Sequence, residues 1–507
     1  MNYLLVVAEK EMTRKTISGI VLTLLLVGMV TLTFNVQPVE ASETIYIRAD
    51  GSVEGTTHIS SVDNITYTFT DNIYDEIVVE RNNIVIDGAG YTLQGTGAWD
   101  SKGISLSGRS NVTIKNTEIK SFWHGILFDS SSNNTVSGNS ITNNDDGIRL
   151  SNSSDNTISG NNITANEWDG IWLAHSANYN TICGNSITNN DDGICVPFGV
   201  PPSPSSNNII TGNSVTNNSM GFQLYQFSNN TISGNNITNN EHGIWLTHSA
   251  NYNTICGNSI TNNDDGIRVY WSSDYNMISG NSITNNDDGI RLSNSSDNTI
   301  SGNNITANEW DGIRLSNSSD NTISGNNITN NEHGIWLTVS SNYNSVSGNK
   351  ITNNWGGIRL YDSSDNKFHH NDFVDNTQQI YNYENASTNV WDDGYPSGGN
   401  YWSDYGGSDS YSGPYQNLTG SDGIGDTAHV IDENNQDNYP LMNPYVPLFC
   451  DLNDDGKVDI SDVLAAAMAF GSHPGHPRWN PAADLNGDSQ VRVDDILTIA
   501  LNFGKTR

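Results

Sequence analysis

Short apolar pieces of two or three residues recur along most of the chain, each followed by Asn, Gly, Ser or Asp. One stretch runs Ile148/Leu150, then Ile158, then Ile163, and near-copies follow it. A helix would need apolar residues at 3.6 spacing over ten or more positions, and no such run occurs here. Alternating Ile/Leu between turn-formers predicts strands. A Gly followed by Ile or Phe sets the period, from Gly103 and Gly125 through Gly334 and Gly357. The interval is 22 or 23 residues, with a single 28 that contains Pro197, Pro201, Pro202 and Pro204. That interval reads as a loop pushed out of one turn. The unit is close to GIxLSxSSxNTISGNxITNNxD, with three strands. Each unit buries its Ile only against the units above and below it, so stacking must supply the core. The expected fold is all-β, a right-handed parallel β-helix of about 12 coils.

The Asn before each "TISG", at Asn111, Asn134, Asn156 and onward, predicts a hydrogen-bonded ladder at one corner. Position x of GIxL alternates with inward residues, so it points outward. It carries Arg149, Trp172, Cys195, Gln223, Trp245, Arg268, Arg291, Arg314, Trp336 and Arg359. Aspartates, His242 and His333 precede the Gly. Trp172, Trp245 and Trp336, with Arg268, Arg291 and Arg314, are the candidate glycan-binding residues. Indole faces stack on sugar rings, and guanidinium groups bond hydroxyls. The competing reading is an outward face stabilised by its own Arg–Asp pairs. Hydrolysis would need one asymmetric carboxyl pair. Asp-Asp-Gly instead repeats at Asp145, Asp191, Asp264 and Asp287, and no coil is expected to depart sharply.

The formal net charge is −35, which disfavours a nucleic-acid partner. Cys183, Cys195, Cys256 and Cys450 match no zinc spacing and read as free or locally paired thiols. Arg14-Lys15, the apolar run 17–34 and Val39-Glu40-Ala41-Ser42 predict a secretory signal over 1–41. Residues after it are expected outside the cytoplasm, extracellular or at the cell surface, with a membrane contact only if that segment stays uncleaved. Sequons such as that of Asn162 are then potential glycan sites. The remaining divisions are an N-terminal cap and first turns (42–98), the repeats (99–376) and a Tyr/Trp/Gly/Asp-rich cap (377–447). In that cap Asp422, Asp426, Asp432 and Asp437 are weighed as calcium ligands, with a metal-free cap preferred.

Residues 448–507 hold the most specific motif. In DLNDDGKVDISD, Asp451, Asn453, Asp455, Lys457 (by its carbonyl), Asp459 and Asp462 stand at calcium-loop positions 1, 3, 5, 7, 9 and 12. In DLNGDSQVRVDD, Asp484, Asn486, Asp488, Gln490 and Asp495 repeat them, and Arg492 takes position 9. Helices are expected over 463–470 and 496–503, each stopped by Gly. Two calcium ions are the expected cofactors.

Two resemblances follow from these motifs. The repeats resemble the right-handed parallel β-helix family of NosD-like periplasmic copper-binding proteins and carbohydrate-binding/sugar-hydrolase domains, which implies a pectin-lyase-like solenoid. The duplicated loops resemble a type I dockerin, which implies a small α-helical module with paired EF-hand-like calcium loops and a cohesin-domain partner. Loop positions 10 and 11, Ile460/Ser461 and Val493/Asp494, are the implied cohesin contacts. Copper asks for clustered His, Met or Cys. His175, His242, His248 and His333 are scattered, and His369-His370 on a strand would face opposite sides. The expected function is binding of extracellular polysaccharide along the rod, with calcium-dependent docking. The alternatives are a polysaccharide hydrolase or lyase and a structural spacer.

Overall fold

The structure is a computed structural model that describes residues 44–198, 205–383, 387–446, 450–452, 457–473, 478–485 and 490–505. The expected signal segment therefore lies outside the described residues. Among the described residues, no helix is long and apolar enough to cross a membrane.

The short strands stack into three sheets of 16, 14 and 15 strands, a parallel β-solenoid of about 14 turns rather than twelve. Parallel pairing extends beyond the Gly-Ile repeat on both sides. Ile45–Ile47 already pairs with Ile77–Val79, and Asp372/Phe373 pair with Tyr401/Trp402. The early coils share only the inward alternation, as in Ile84–Asp87, and so escape the repeat's consensus. Inward Ile, Leu and Val align coil over coil: Ile148 on Ile171, Ile158 on Ile182, Ile163 on Ile187. All are fully buried.

Two glycines explain the period. In the Gly-Ile step, a Cβ on Gly289 would lie 2.5 Å from the Gly312 carbonyl of the next coil. That is backbone, which cannot yield. In the Ser-Gly-Asn turn, Gly280 sits at φ +63°, the left-handed region open to Gly.

All three corners carry asparagine ladders, not the single one expected. One runs from Asn134 to Asn389, the second from Asn139 to Asn371 and Asn400, the third from Asn144 to Asn376. At each rung the backbone N–H and the Nδ2 both donate to the next Asn Oδ1, as Asn281 does to Asn303 at 3.0 and 2.9 Å. Asn111 is not a member. Strand register puts Val112 below Asn134, and Asn111 is exposed.

The upper end is closed by aromatic stacking and by ladder acceptors. Trp391 stacks on Phe368 and Trp402 on Phe373, both at 4.4 Å. Asn435 Oδ1 accepts from Asn389 N and Trp391 Nε1. Asp437 Oδ2 accepts from Asn400 N and Trp402 Nε1. Asp422, Asp426 and Asp432 are likewise engaged by cap hydrogen bonds. At the lower end, Val53–Glu54 pairs antiparallel with the first strand.

In the C-terminal tail, α1 (Ile460–Ala469) and α2 (Val493–Asn502) pack around Val458, Ala466, Ala483, Val491 and Ile499. Both helices start three residues earlier than expected. The reason is local. Asp459 caps α1 by accepting from Ser461 N, while Asp462 accepts from Asp459 N.

Candidate functional site on the outward face of the first sheet

Position x forms an unbroken column. Arg149 pairs in register with Trp172, then Cys195, Gln223, Trp245, Arg268, Arg291, Arg314, Trp336 and Arg359. The structure thus brings the six candidate glycan-binding residues into one line, but half-buried and engaged with neighbours on the same face. Arg149 lies 3.2 Å over Trp172, and Trp336 is held between Arg314 at 3.9 Å and Arg359 at 4.2 Å. Arg268 lies over Tyr270 at 4.1 Å and farther, at 5.3 Å, over Trp245. Faces covered by guanidinium groups are not free to stack on a sugar ring.

The exposed rings lie on the flanks. At the N-terminal edge of these strands, Trp123 contacts Trp99 at 6.2 Å and Trp168 at 4.8 Å. At the C-terminal edge, Phe198 meets Tyr225 at 4.8 Å and His248 at 5.4 Å, and His248 stacks on Trp271. Trp99, Trp168, Phe198 and Trp271 are all exposed.

A second column runs beside the first, built from the residue before each Gly. Four of its aspartates face an Arg three residues on: Asp146–Arg149 at 3.9 Å, Asp265–Arg268 at 3.3 Å, Asp288–Arg291 at 3.7 Å and Asp311–Arg314 at 3.8 Å. Histidines pair with it as well, His124 with Asp146 and His333 with Asp311, both at 3.0 Å. Burial lowers the pKa of His242, which lies 3.3 Å from Asp265.

One place breaks the pattern, contrary to the expected uniformity. Asp169 and Asp192 are followed at the Arg position by Trp172 and Cys195. Ligand atoms of Asp169, Asp192 and Cys195 all lie within 4.8 Å of one another. Burial, then the charges of Asp146 and Asp192, pushes Asp169 up to about 8. Burial pushes Asp192 up to about 6 and the Cys195 thiol well above its usual range. The signal available in the sequence was the loss of Arg from position x in successive coils. All four cysteines are free thiols.

His369 and His370 do not face opposite sides. His370 turns to φ +57° at the strand end, bringing the two Nδ1 atoms to 3.3 Å, and its ring stacks on Tyr445.

In the tail, Asp462 and Asp495 are fully buried and occupy equivalent places. Asp462 accepts from Leu452 N and Asp459 N, Asp495 from Leu485 N and Arg492 N. Asp451, Lys457, Asp459, Asp484 and Gln490 lie in the described parts of these loops, whereas Asn453, Asp455, Asn486 and Asp488 lie outside the described residues. Ile460, Ser461, Val493 and Asp494 are all exposed in the first helical turns. Each helix also presents an apolar stripe. Ile460, Leu464 and Met468 on α1 match Val493, Leu497 and Leu501 on α2, each 57–77% exposed.

Several solved structures are similar. The Dettilon tailspike protein gp208 is 15% identical over 57% of this chain, with a TM-score of 0.40, and the match spans 62% of the tailspike. The A-module of the Azotobacter vinelandii mannuronan C-5 epimerase AlgE4 is 17% identical over 62% of this chain and 91% of its own, at TM-score 0.41. A double mutant of the periplasmic alginate epimerase AlgG is 17% identical over 67% of this chain and 84% of its own, at TM-score 0.40. No curated protein matches. A family model described as periplasmic copper-binding protein (NosD) matches residues 35–200, 197–269 and 257–407. That match covers most of the chain and all of the repeated coils, and the chain belongs to the NosD family.

Proposed function

We propose that this chain is an extracytoplasmic glycan-binding solenoid, held to a partner by a calcium-loaded tail. The observation that carries the glycan reading is the pair of aromatic flanks, exposed at Trp99, Trp168, Phe198 and Trp271 and half-buried at Trp123, Tyr225 and His248. They border a polar face of carboxylates and guanidinium groups. Exposed rings supply stacking for pyranose faces, and the charged floor supplies hydroxyl partners. The site is thereby moved from the Arg-covered tryptophans to the flanks. The periplasmic description of the family and the signal-like N-terminus support a place outside the cytoplasm.

In the tail, the duplicated oxygen-rich loops suit calcium, two ions in all. The residues that would hold them are Asp451, Asp459, Asp462, Asp484 and Asp495, with the carbonyls of Lys457 and Gln490 and the Asn and Asp residues between. The paired apolar stripes suit an apolar docking partner such as a cohesin-type domain.

Copper, named in the family's description, fits poorly. A copper site wants several His, Cys or Met donors together. Among the described residues, the ligand group of three or more is two carboxylates and one thiol. The Met220 sulfur next to it in the column accepts from Gln223 Nε2 at 3.2 Å, and Gln223 Oε1 in turn contacts Cys195 at 3.5 Å. The amide thus lies between the two sulfurs.

The test is retention of the full chain on a panel of polysaccharides, with and without calcium, scoring new reducing or unsaturated ends. Retention without new ends, lost in Trp168→Ala and Trp271→Ala, is expected. New ends would make the protein an enzyme and overturn the binding reading.

A further inference from the structure

Along the column of residues before each Gly, charge is compensated locally, Asp by Arg, in four coils. Asp169 and Asp192 are neighbours in register, and among the described residues neither has an ion pair within 4 Å. Beneath Asp169 is Asp146, only 2% exposed, whose Oδ1 is buried without a hydrogen-bond partner. Arg149, drawn over Trp172, pairs with Asp146 alone, which His124 also contacts at 3.0 Å, whereas Asp169 and Asp192 face the Cys195 thiol. At the two positions where arginines would stand the chain places Trp172 and Cys195, and the Cys195 thiol, 3% exposed, lies within 4.8 Å of both carboxylates. Asp169 and Asp192 thus lack the ion pair that their neighbours make, and the Cys195 thiol offers a ligand atom where that charge would stand.

We propose that Asp169, Asp192 and Cys195 bind one divalent cation of zinc's class, which takes the place of the arginine found in neighbouring coils. The donor set selects the ion. A thiolate disfavours calcium and magnesium, and two carboxylates disfavour cuprous copper, whereas zinc accepts both kinds of ligand. Binding displaces the thiol proton and the one proton that the carboxyl pair holds near pH 7, so two protons leave as two positive charges arrive. The three ligands sit on rigid strands of two successive coils, as a preorganised site requires. The inference is independent of the glycan reading, because none of the flanking rings is a ligand.

The experiment uses the full chain, free of any purification tag, stripped with chelator and then saturated with calcium to occupy the tail. Zinc alone is titrated against a chromophoric chelator, and cobalt is substituted to read the thiolate-to-metal band in the near ultraviolet. One zinc per chain and a cobalt–thiolate band are expected. Cys195→Ala and Asp169→Asn should each weaken zinc at least tenfold. Cys195→Arg rebuilds the Asp-Gly-Ile-Arg pattern of the coils at Arg268 and Arg291, so it should fold and bind no zinc at the site. Failure of the folded wild-type chain to bind zinc would overturn the proposal. So would zinc binding that Cys195→Arg leaves unchanged, or cuprous ion held by Cys195 regardless of Asp169.

Discussion

The backbone N–H of Asn400 donates to Asp437 Oδ2 at 2.7 Å, so the asparagine ladder that starts at Asn139 ends on a carboxylate. Asp437 is fully buried, and burial lifts its pKa to about 7 although it also accepts from Trp402 Nε1 and Tyr439 N.

That lift has a sign. Between about pH 4 and pH 7 the folded cap holds a proton that the unfolded chain has released, so its contribution falls as pH rises through that window. The melting temperature of the wild type should drop from pH 4 to pH 8 more than that of Asp437→Asn, read by parallel thermal scans. Equal slopes would show that Asp437 does not titrate there.

Within the ladders, Asn303→Ala leaves the Asn281 N–H without its acceptor and removes the Asn303 Nδ2 bonds to Asn326 and the Ile278 carbonyl. A buried unsatisfied group costs about 1–3 kcal/mol, so a loss of at least ~2 kcal/mol is expected in urea unfolding. Asn303→Asp should lose more, since it adds an unpaired buried charge.

The two kinds of glycine should separate cleanly. Gly289→Ala drives a Cβ against the Gly312 carbonyl and should disrupt stacking of those coils. Gly280→Ala meets open space and bears only its left-handed strain, about 1–2 kcal/mol. Circular dichroism melts of the two variants give the comparison.

Trp336→Ala removes a ring held between two arginines and should lower stability while leaving polysaccharide retention unchanged. Trp271→Ala, an exposed flank, should do the reverse. If Trp336 proves to govern retention, the column rather than the flanks is the sugar site.

In the tail, Leu464→Asp with Leu497→Asp should abolish capture of a cohesin-type partner without changing calcium affinity, since both side chains are exposed. Asp462→Ala and Asp495→Ala should each weaken calcium binding and loosen the adjacent loop, measured by calorimetry.

The coil was legible because one period repeats the Gly close contact, the left-handed turn and the inward Ile at constant spacing. The second and third ladders, at Asn139 and Asn144, repeat at that same period. Their signal is weaker, because "SGN" and "TNN" also fit ordinary turns. The first coils, such as Ile45–Ile47, lack the turn consensus and show only alternation, which does not distinguish a coil from a cap. Ring occupancy was not legible at all. Position x predicts an outward Trp336, but only register reveals that Arg314 and Arg359 stand directly below and above it. The Asp169–Asp192–Cys195 cluster shows in the sequence as a missing residue type, a weaker signal than a motif. It gains meaning once the column is known.

Because every rung presents the same donors upward and the same acceptors downward, a coil is an interchangeable increment. One can be inserted or removed without altering the chemistry that either terminus of the stack must satisfy. Each increment shifts those termini by one strand spacing, about 4.8 Å. The molecule is therefore a gauge, in which the separation of whatever its two extremities hold is counted in whole coils and can be reset without redesigning either extremity.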